Sequence, residues 1–202
     1  LLIRKGMIEA VGTNVAIPEG TVVIDAKGKF IYPSFIDLYS NYGMPDAPKR
    51  DGGFDGAPQP DSKKKGAYNW NQAIKPEFNA SENFTADDKR AKDYRNAGFG
   101  MVLTHQTDGI ARGSGALVLL SDGKENELVV KDRASANYSF SKGSSTQDYP
   151  SSQMGVIALL RQTYYDAQWY AKTKPGDEEF NISLDAWNKL QGLPQVFEVS
   201  DK

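Results

Sequence analysis

The sequence predicts an α/β fold with parallel strands, preceded by a separate β element, and three observations carry this. Short β-type runs punctuated by glycine fill residues 1–32, helix-type segments with start and stop signals begin near residues 85, 151 and 183, and apolar strand-type runs follow those helices.

In the first region "LLIRKG", "MIEAVG" and "TVVIDAKGKFIY" are set apart by Gly6, Gly12, Gly20 and Gly28. Such a meander is not stable alone and needs a sheet or core to lie on. "FIYPSFIDL" then reads as a buried strand that runs into the polar turn "YSNYG". From 44 to 82 the chain is rich in Gly, Pro, Asp, Asn and Lys and has no periodicity, which predicts a long loop and the most mobile part of the chain.

Order resumes at "TADDKRAKDYRNAG", where Thr85 is expected to cap a helix with Asp88 at its third position, and Gly98 to end it. "FGMVLTH" reads as a buried strand, "QTDGIARGSG" as a turn, "ALVLL" as a second apolar run, and "ELVVKDRASANYSF" continues with β-type residues. A helix capped by Ser151 or Ser152 runs to about Lys172. Met154, Ile157, Leu160, Tyr164 and Ala167 recur on one face of it, the face expected to be buried. Ser183 is expected to cap the short helix "SLDAWNKLQG", which Gly192 stops, and "PQVFEVS" reads as a last buried strand.

At 202 residues the chain is long enough for one good core, or one core and a small flanking layer. With 24 basic and 26 acidic residues the net charge is −2, which gives no electrostatic reason to expect nucleic acid. No apolar run approaches the ~20 residues that span a bilayer, so no membrane partner is expected. The absence of cysteine removes disulfides, thiolate nucleophiles and cysteine metal sites, and His105 is the single histidine. The compartment stays open. The chain opens inside a strand-like pattern without an initiator Met and closes in another, so it reads as a piece of a longer protein.

Several local features have a bland reading. Lys63, Lys64 and Lys65 read as a solvated turn. Gly109, Gly113 and Gly115 suggest a phosphate loop, but the P-loop lysine is missing and a strand follows, so "GIARGSGALVLL" reads as a tight turn. Asp87 and Asp88 lie at a helix start, and Asp177, Glu178 and Glu179 in a solvated turn. The helical spacing of Tyr164, Tyr165, Trp169 and Tyr170 fits packing onto the sheet better than a sugar platform.

The order of elements, with "IEAVG", "VIDAKGKFIYPSFIDLYSN" and "MGVIALLRQTYYDAQWYAK", resembles the amidohydrolase superfamily, and most nearly its imidazolonepropionase-like and dihydroorotase-like members. The resemblance implies a β-sandwich segment over 1–32. It also implies the first part of a (β/α)₈ TIM-like barrel over 33–202, incomplete in this chain, with the long loop 44–82 inside it. The implied chemistry is hydrolysis of C–N bonds assisted by Zn or another divalent metal. In the motif P-G-F-I-D-x-H-x-H, Pro33, Phe35, Ile36 and Asp37 agree and Ser34 replaces glycine, while Tyr39 and Asn41 stand where the two metal-binding histidines belong. Phenol and amide oxygens are weak replacements for imidazole. Glu198 and Ser200 fall near another place where relatives carry histidine.

The resemblance therefore implies an amidohydrolase-like domain with no metal and no catalytic residues of its own. Asp37, Tyr39, Ser40, Asn41, His105 and Glu198 would outline a polar pocket at the barrel mouth. Its expected partners are the remaining domains of the same polypeptide or further copies of the chain. Two alternatives stay open: a non-catalytic module binding a small polar ligand or partner at that mouth, and an enzyme with an unusual site drawn from Asp37, Tyr39, His105 and Glu198.

Overall fold

The structure, a computed structural model, describes residues 1–49, 58–173 and 179–199. They form two compact units, Leu1–Pro33 and Ser34–Lys202. In the first, β1 (Leu2–Arg4) pairs antiparallel with β2 (Met7–Ala10). The turn between them places Lys5 and Gly6 at φ 50° and 76°, the left-handed geometry that suits a tight hairpin. Where a sandwich segment was expected, the described residues hold this two-stranded sheet. "TVVIDAKGKFIY" forms no strand, and Val22, Val23 and Ile24 are exposed. β propensity alone does not make a strand without a neighbouring backbone to pair with.

The second unit runs β3 (Phe35–Ser40), α1 (Asp88–Asn96), β4 (Phe99–Thr104), β5 (Ala111–Leu119), α2 (Glu125–Leu128), β6 (Val129–Ser139), α3 (Gln153–Tyr170), α4 (Ile182–Leu190) and β7 (Gln195–Glu198). The five strands form one sheet in the order β3-β4-β5-β6-β7. β3 and β4 are parallel, as are β6 and β7, while β5 runs antiparallel to both of its neighbours. The all-parallel expectation fails at β5 for a reason of length. Only the short stretch His105–Ile110 joins β4 to β5, and a parallel crossover needs about a dozen residues or more.

The stretch read as a turn therefore ends early, and Ala111 to Gly115 already belong to β5. Gly113 has φ +76° beside a register shift between Ala111 and Ser114, and a Cβ there would strike the Phe78 carbonyl. Its need for glycine is close approach of another backbone, not a phosphate. That backbone belongs to the long loop, which bridges β5 at Ile74 with Ala111 and at Asn79 with Ser114. Much of the described part of the 44–82 loop is packed: Met44, Asn71, Ala73, Ile74 and Ala80 are all buried. Buried amides tie it down, Asn71 Nδ2 donating to the Tyr149 carbonyl at 2.8 Å, and Gln147 Nε2, from the connection between β6 and α3, donating to the loop's Pro60 carbonyl at 2.8 Å. Residues 50–57 of that loop lie outside the described residues, as do Asp177, Glu178 and Ser200.

Two apolar clusters flank the sheet. One joins Ala136 and Tyr138 of β6 to Leu159 of α3 and Trp187 of α4. The other joins Val102 of β4 and Val118 of β5 to Ala91 of α1 and to Tyr42 and Phe84. The buried stripe of α3 is Val156, Leu159, Thr163 and Ala167. The expected face is thus rotated: Met154 is 81% exposed, Ile157 and Tyr164 are exposed, and Leu160 is only partly buried. Thr163 sits in the stripe because its hydroxyl donates to the Leu159 carbonyl at 2.9 Å, which lets a polar residue pass into an apolar layer. Tyr165 and Trp169 are also exposed, and of the four aromatics only Tyr170 packs against the core. No helix among the described residues is long and apolar enough to cross a membrane.

Capping follows the predicted chemistry at shifted positions. Ser152 caps α3, accepting from the Gly155 N–H at 3.2 Å, and Gly98 (φ +92°) follows the end of α1 as expected. The α1 cap is Asp87, which accepts from the Arg90 N–H at 3.0 Å, because Thr85 is held by its own N–H to the Gly43 carbonyl at 2.9 Å. Asn181 caps α4, while Ser183 is buried, accepting from the Asn69 N–H at 3.0 Å and donating to Glu77 at 2.9 Å. Lys64 is ion-paired with Glu77 at 2.6 Å and lies 3.5 Å from the Tyr68 ring centroid. Asp87→Ala is expected to lower stability by about 1 kcal/mol, read as a shift of the urea midpoint at unchanged slope, whereas Thr85→Ala should cost less.

Candidate functional site at the strand ends

The pairings orient β3, β4, β6 and β7 alike, so their C-terminal ends and the start of β5 share one end of the sheet. The pairing of β3 is irregular between Asp37 and Ser40, and the contacts of the neighbours Tyr39 and Ser40 place them on opposite faces. Ser40 is buried on the helical side, its Oγ 3.0 Å from the Tyr94 hydroxyl of α1 and accepting from the Tyr42 N–H at 3.1 Å. Asn41 is exposed and its Oδ1 accepts from Arg90 Nη2 at 3.0 Å, again toward α1. On the opposite face Tyr39 meets His105, which directly follows β4, with ring centroids 4.8 Å apart and the planes at 67°. Asp37 Oδ1 accepts from the Tyr39 N–H at 3.0 Å and so fixes the backbone beneath that phenol.

Glu198, the last residue of β7, completes the group. Its carboxylate forms an ion pair with Arg112 of β5, and the Tyr39 hydroxyl lies beside it, near enough to act on its charge. Of the six residues expected at the pocket, Tyr39, His105 and Glu198 are brought together with Asp37 beside them. Ser40 and Asn41 serve the contact with α1. Arg112 was missed by sequence reasoning, although a lone arginine inside an otherwise small and apolar run, "IARGSGALVLL", was a signal. It is only 4% exposed, and its Nε donates to the Gly109 carbonyl at 3.0 Å.

The charges fit this geometry. Burial raises the Glu198 pKa, but the Tyr39 hydroxyl, the hydrogen bond from Arg112 and the guanidinium charge outweigh it, holding the carboxyl below its ordinary value. Tyr39 is pushed up by burial and by the Glu198 carboxylate, with Arg112 opposing, so it stays a neutral phenol. His105 is 1% exposed, and burial holds its pKa below the ordinary value against a hydrogen bond to Gln106. Its Nδ1 lies 3.0 Å from the Gln106 carbonyl, which only accepts, so the neutral ring carries its proton on Nδ1 and a lone pair on Nε2. That Nε2 is buried and has no hydrogen-bond partner among the described residues. Chemically the centre offers a fixed cation, a paired carboxylate, an oriented phenol and one open acceptor.

A second buried charge lies in the loop after β4. Asp108 accepts from Lys75 Nζ at 2.5 Å and from the Ser144 N–H and hydroxyl at 2.6 and 2.7 Å. Burial raises its pKa, but these donors together hold it below the ordinary carboxylate value. All its partners belong to loops, so it is a tie between three connections and not a reactive group.

No protein-family model matches the chain. A stretch of 45 residues is 38% identical to a dihydroorotase of Thermoanaerobacter sp. (strain X514), which is 22% of this chain and 10% of that protein. The whole arrangement is similar to the crystal structure of an amidohydrolase from Thermotoga maritima MSB8, with a TM-score of 0.71 at 22% identity, over 98% of this chain and 52% of that one. The two share a fold. The chain spans about half the length of that solved structure. Among the described residues no group of three or more His, Cys, Asp or Glu side chains is placed to hold a metal ion.

Proposed function

We propose that the chain is the first part of an amidohydrolase-type (β/α)₈ barrel, with a β-sandwich segment before it, whose strand-end centre works without a divalent cation. On this reading it does not hydrolyse C–N bonds by itself. The observation that carries the proposal is Arg112, which pairs with the Glu198 carboxylate inside the group where the fold would call for a metal. With Arg112 in place the donor set does not fit Zn²⁺ or a similar ion. Asn41 is drawn to Arg90, Tyr39 is held as a neutral phenol, one imidazole is present, and a buried guanidinium repels a second cation.

The 45-residue likeness to a dihydroorotase supports the superfamily side of this reading. Exposed Phe35 and Leu38 on β3 and Phe197 on β7, the two edge strands, support a further proposal, that the remainder of the same polypeptide covers these edges. One observation favours a second role: the open Nε2 acceptor of His105 suits a small polar ligand that brings an N–H or O–H donor.

The test is metal analysis of the purified full-length protein together with turnover of cyclic amides and ureides. Substoichiometric metal and no hydrolysis are expected. A full equivalent of bound metal, with hydrolysis lost on chelation, would overturn the proposal. A metal-free thermal-shift screen of small polar compounds decides the binding role, for which a His105→Phe variant should abolish any stabilisation seen.

A further inference from the structure

We infer that Arg112 is a built-in cation that takes the place of a divalent ion at this centre, cross-linking the ends of β3, β5 and β7 through Glu198 and Tyr39. The inference rests on the reading of a metal-free centre and adds to it what Arg112 does there, holding the strand ends together as a bound ion would.

Three features support a replacement over an ordinary surface pair. Arg112 is 4% exposed, and a buried guanidinium requires local counter-charge. It is anchored from behind, Nε donating to the Gly109 carbonyl at 3.0 Å, so its charge is fixed with respect to the sheet and not carried on a free arm. Its partners come from two other strands, Glu198 at the end of β7 and Tyr39 near the end of β3, while Arg112 itself sits at the start of β5. One cation thereby ties together strand ends far apart in sequence, which is the structural work a bound metal does in such a place.

The remaining member of the group agrees with this. His105 holds its Nδ1 proton on a backbone carbonyl and turns an unshared pair on Nε2 into a buried place without a partner. A histidine oriented by a backbone carbonyl through one nitrogen, with the other left bare, has the arrangement of a metal ligand without its metal. With Arg112 present the local charge is already balanced. With it removed, Glu198 and the His105 Nε2 would be an anion and a donor with no cation to serve.

This gives a readout that a merely structural ion pair would not produce. In the full chain, Arg112→Met is expected to lower Tm by roughly 5 °C or more. Addition of Zn²⁺ at about 100 μM should then raise the Tm of that variant by roughly 4 °C while leaving the wild type unchanged. The background is clean, since the chain has one histidine and no cysteine. Arg112→Lys, which keeps the charge, should lie between the two in Tm and ignore Zn²⁺. The double variant Arg112→Met/Glu198→Gln should lose the Zn²⁺ response.

A destabilised Arg112→Met that ignores Zn²⁺ would overturn the replacement and leave the metal-free reading standing. A Zn²⁺ response that survives Glu198→Gln would overturn it as well. Stabilisation of the wild type by Zn²⁺ would defeat the metal-free reading itself. Should Arg112→Met fail to fold, Arg112→Lys still decides, because Zn²⁺ stabilisation of that charged variant contradicts the inference.

Discussion

Leu159→Ala is expected to cost the protein about 2–5 kcal/mol, the largest loss from any single truncation on α3. Leu159 is 1% exposed and lies in the cluster that joins α3 and α4 to β6, where the close-packed surroundings cannot fully close the gap left by the removed Cγ and two Cδ carbons. Leu160→Ala should cost roughly half as much or less, since Leu160 packs against that cluster from its rim and borders an open groove with Tyr164 and Tyr165. Met154→Ala, at a fully solvated position, should change stability by no more than about 0.5 kcal/mol. Urea unfolding of the three variants checks this ranking. Equal losses at Leu159 and Leu160 would return α3 to the orientation its sequence suggested.

That orientation was hard to read for a definite reason. Apolar residues lie on both sides of α3, and those at Met154, Ile157 and Tyr164 are exposed, so the periodicity has two near-equal solutions about one residue apart. The deciding residue is Thr163, which counts as polar in the sequence and hides its hydroxyl on the Leu159 carbonyl in the fold. Caps show the same limit. Thr85 and Asp87, like Ser183 and Asn181, are chemically equivalent candidates two residues apart, and the choice between them is made by bonds to Gly43, Asn69 and Glu77 elsewhere in the chain. Element identity was legible where local chemistry decides it, as at β4, β6, β7 and the end of α1.

The candidate site divides along the same line. Tyr39, His105 and Glu198 were legible because strand-end position and a motif spacing are local facts. The separation of Tyr39 from Ser40 was also within reach, since alternation along a strand places neighbours on opposite faces. Arg112 stood out as a lone arginine in a small, apolar run, but its role was not legible, because its partner lies 86 residues away and the glycines around it drew attention to backbone shape instead. Its charge changes the reading of every other member of the group: Glu198 becomes a paired carboxylate, Tyr39 the neutral phenol beside it, and His105 an acceptor left open.

Asp108→Ala is expected to cost about 3 kcal/mol, second only to loss of a core leucine, because it removes an acceptor that three donors share. Asp108 is 2% exposed, so its donors have no ready water to replace it, and Lys75 would be left partly buried without its carboxylate. The pH dependence separates this charge from His105. Both groups titrate below their ordinary values in the folded chain, so in each case the unfolded chain binds the proton first and folding loses free energy as pH falls. For His105 the contribution is complete above its ordinary 6.5 and declines as the pH drops below that, down through its folded value. For Asp108 it is complete above 3.8 and is lost only below that. Stability measured from pH 8 downward should therefore fall in two stages, the first once the pH drops below the ordinary histidine value of 6.5 and the second once it drops below the ordinary aspartate value of 3.8. His105→Gln should flatten the first stage and leave the second, while Asp108→Asn should weaken the second and leave the first. A single stage that both variants remove would mean that the two groups unfold the chain together and that the Asp108 tie is not a separate contribution.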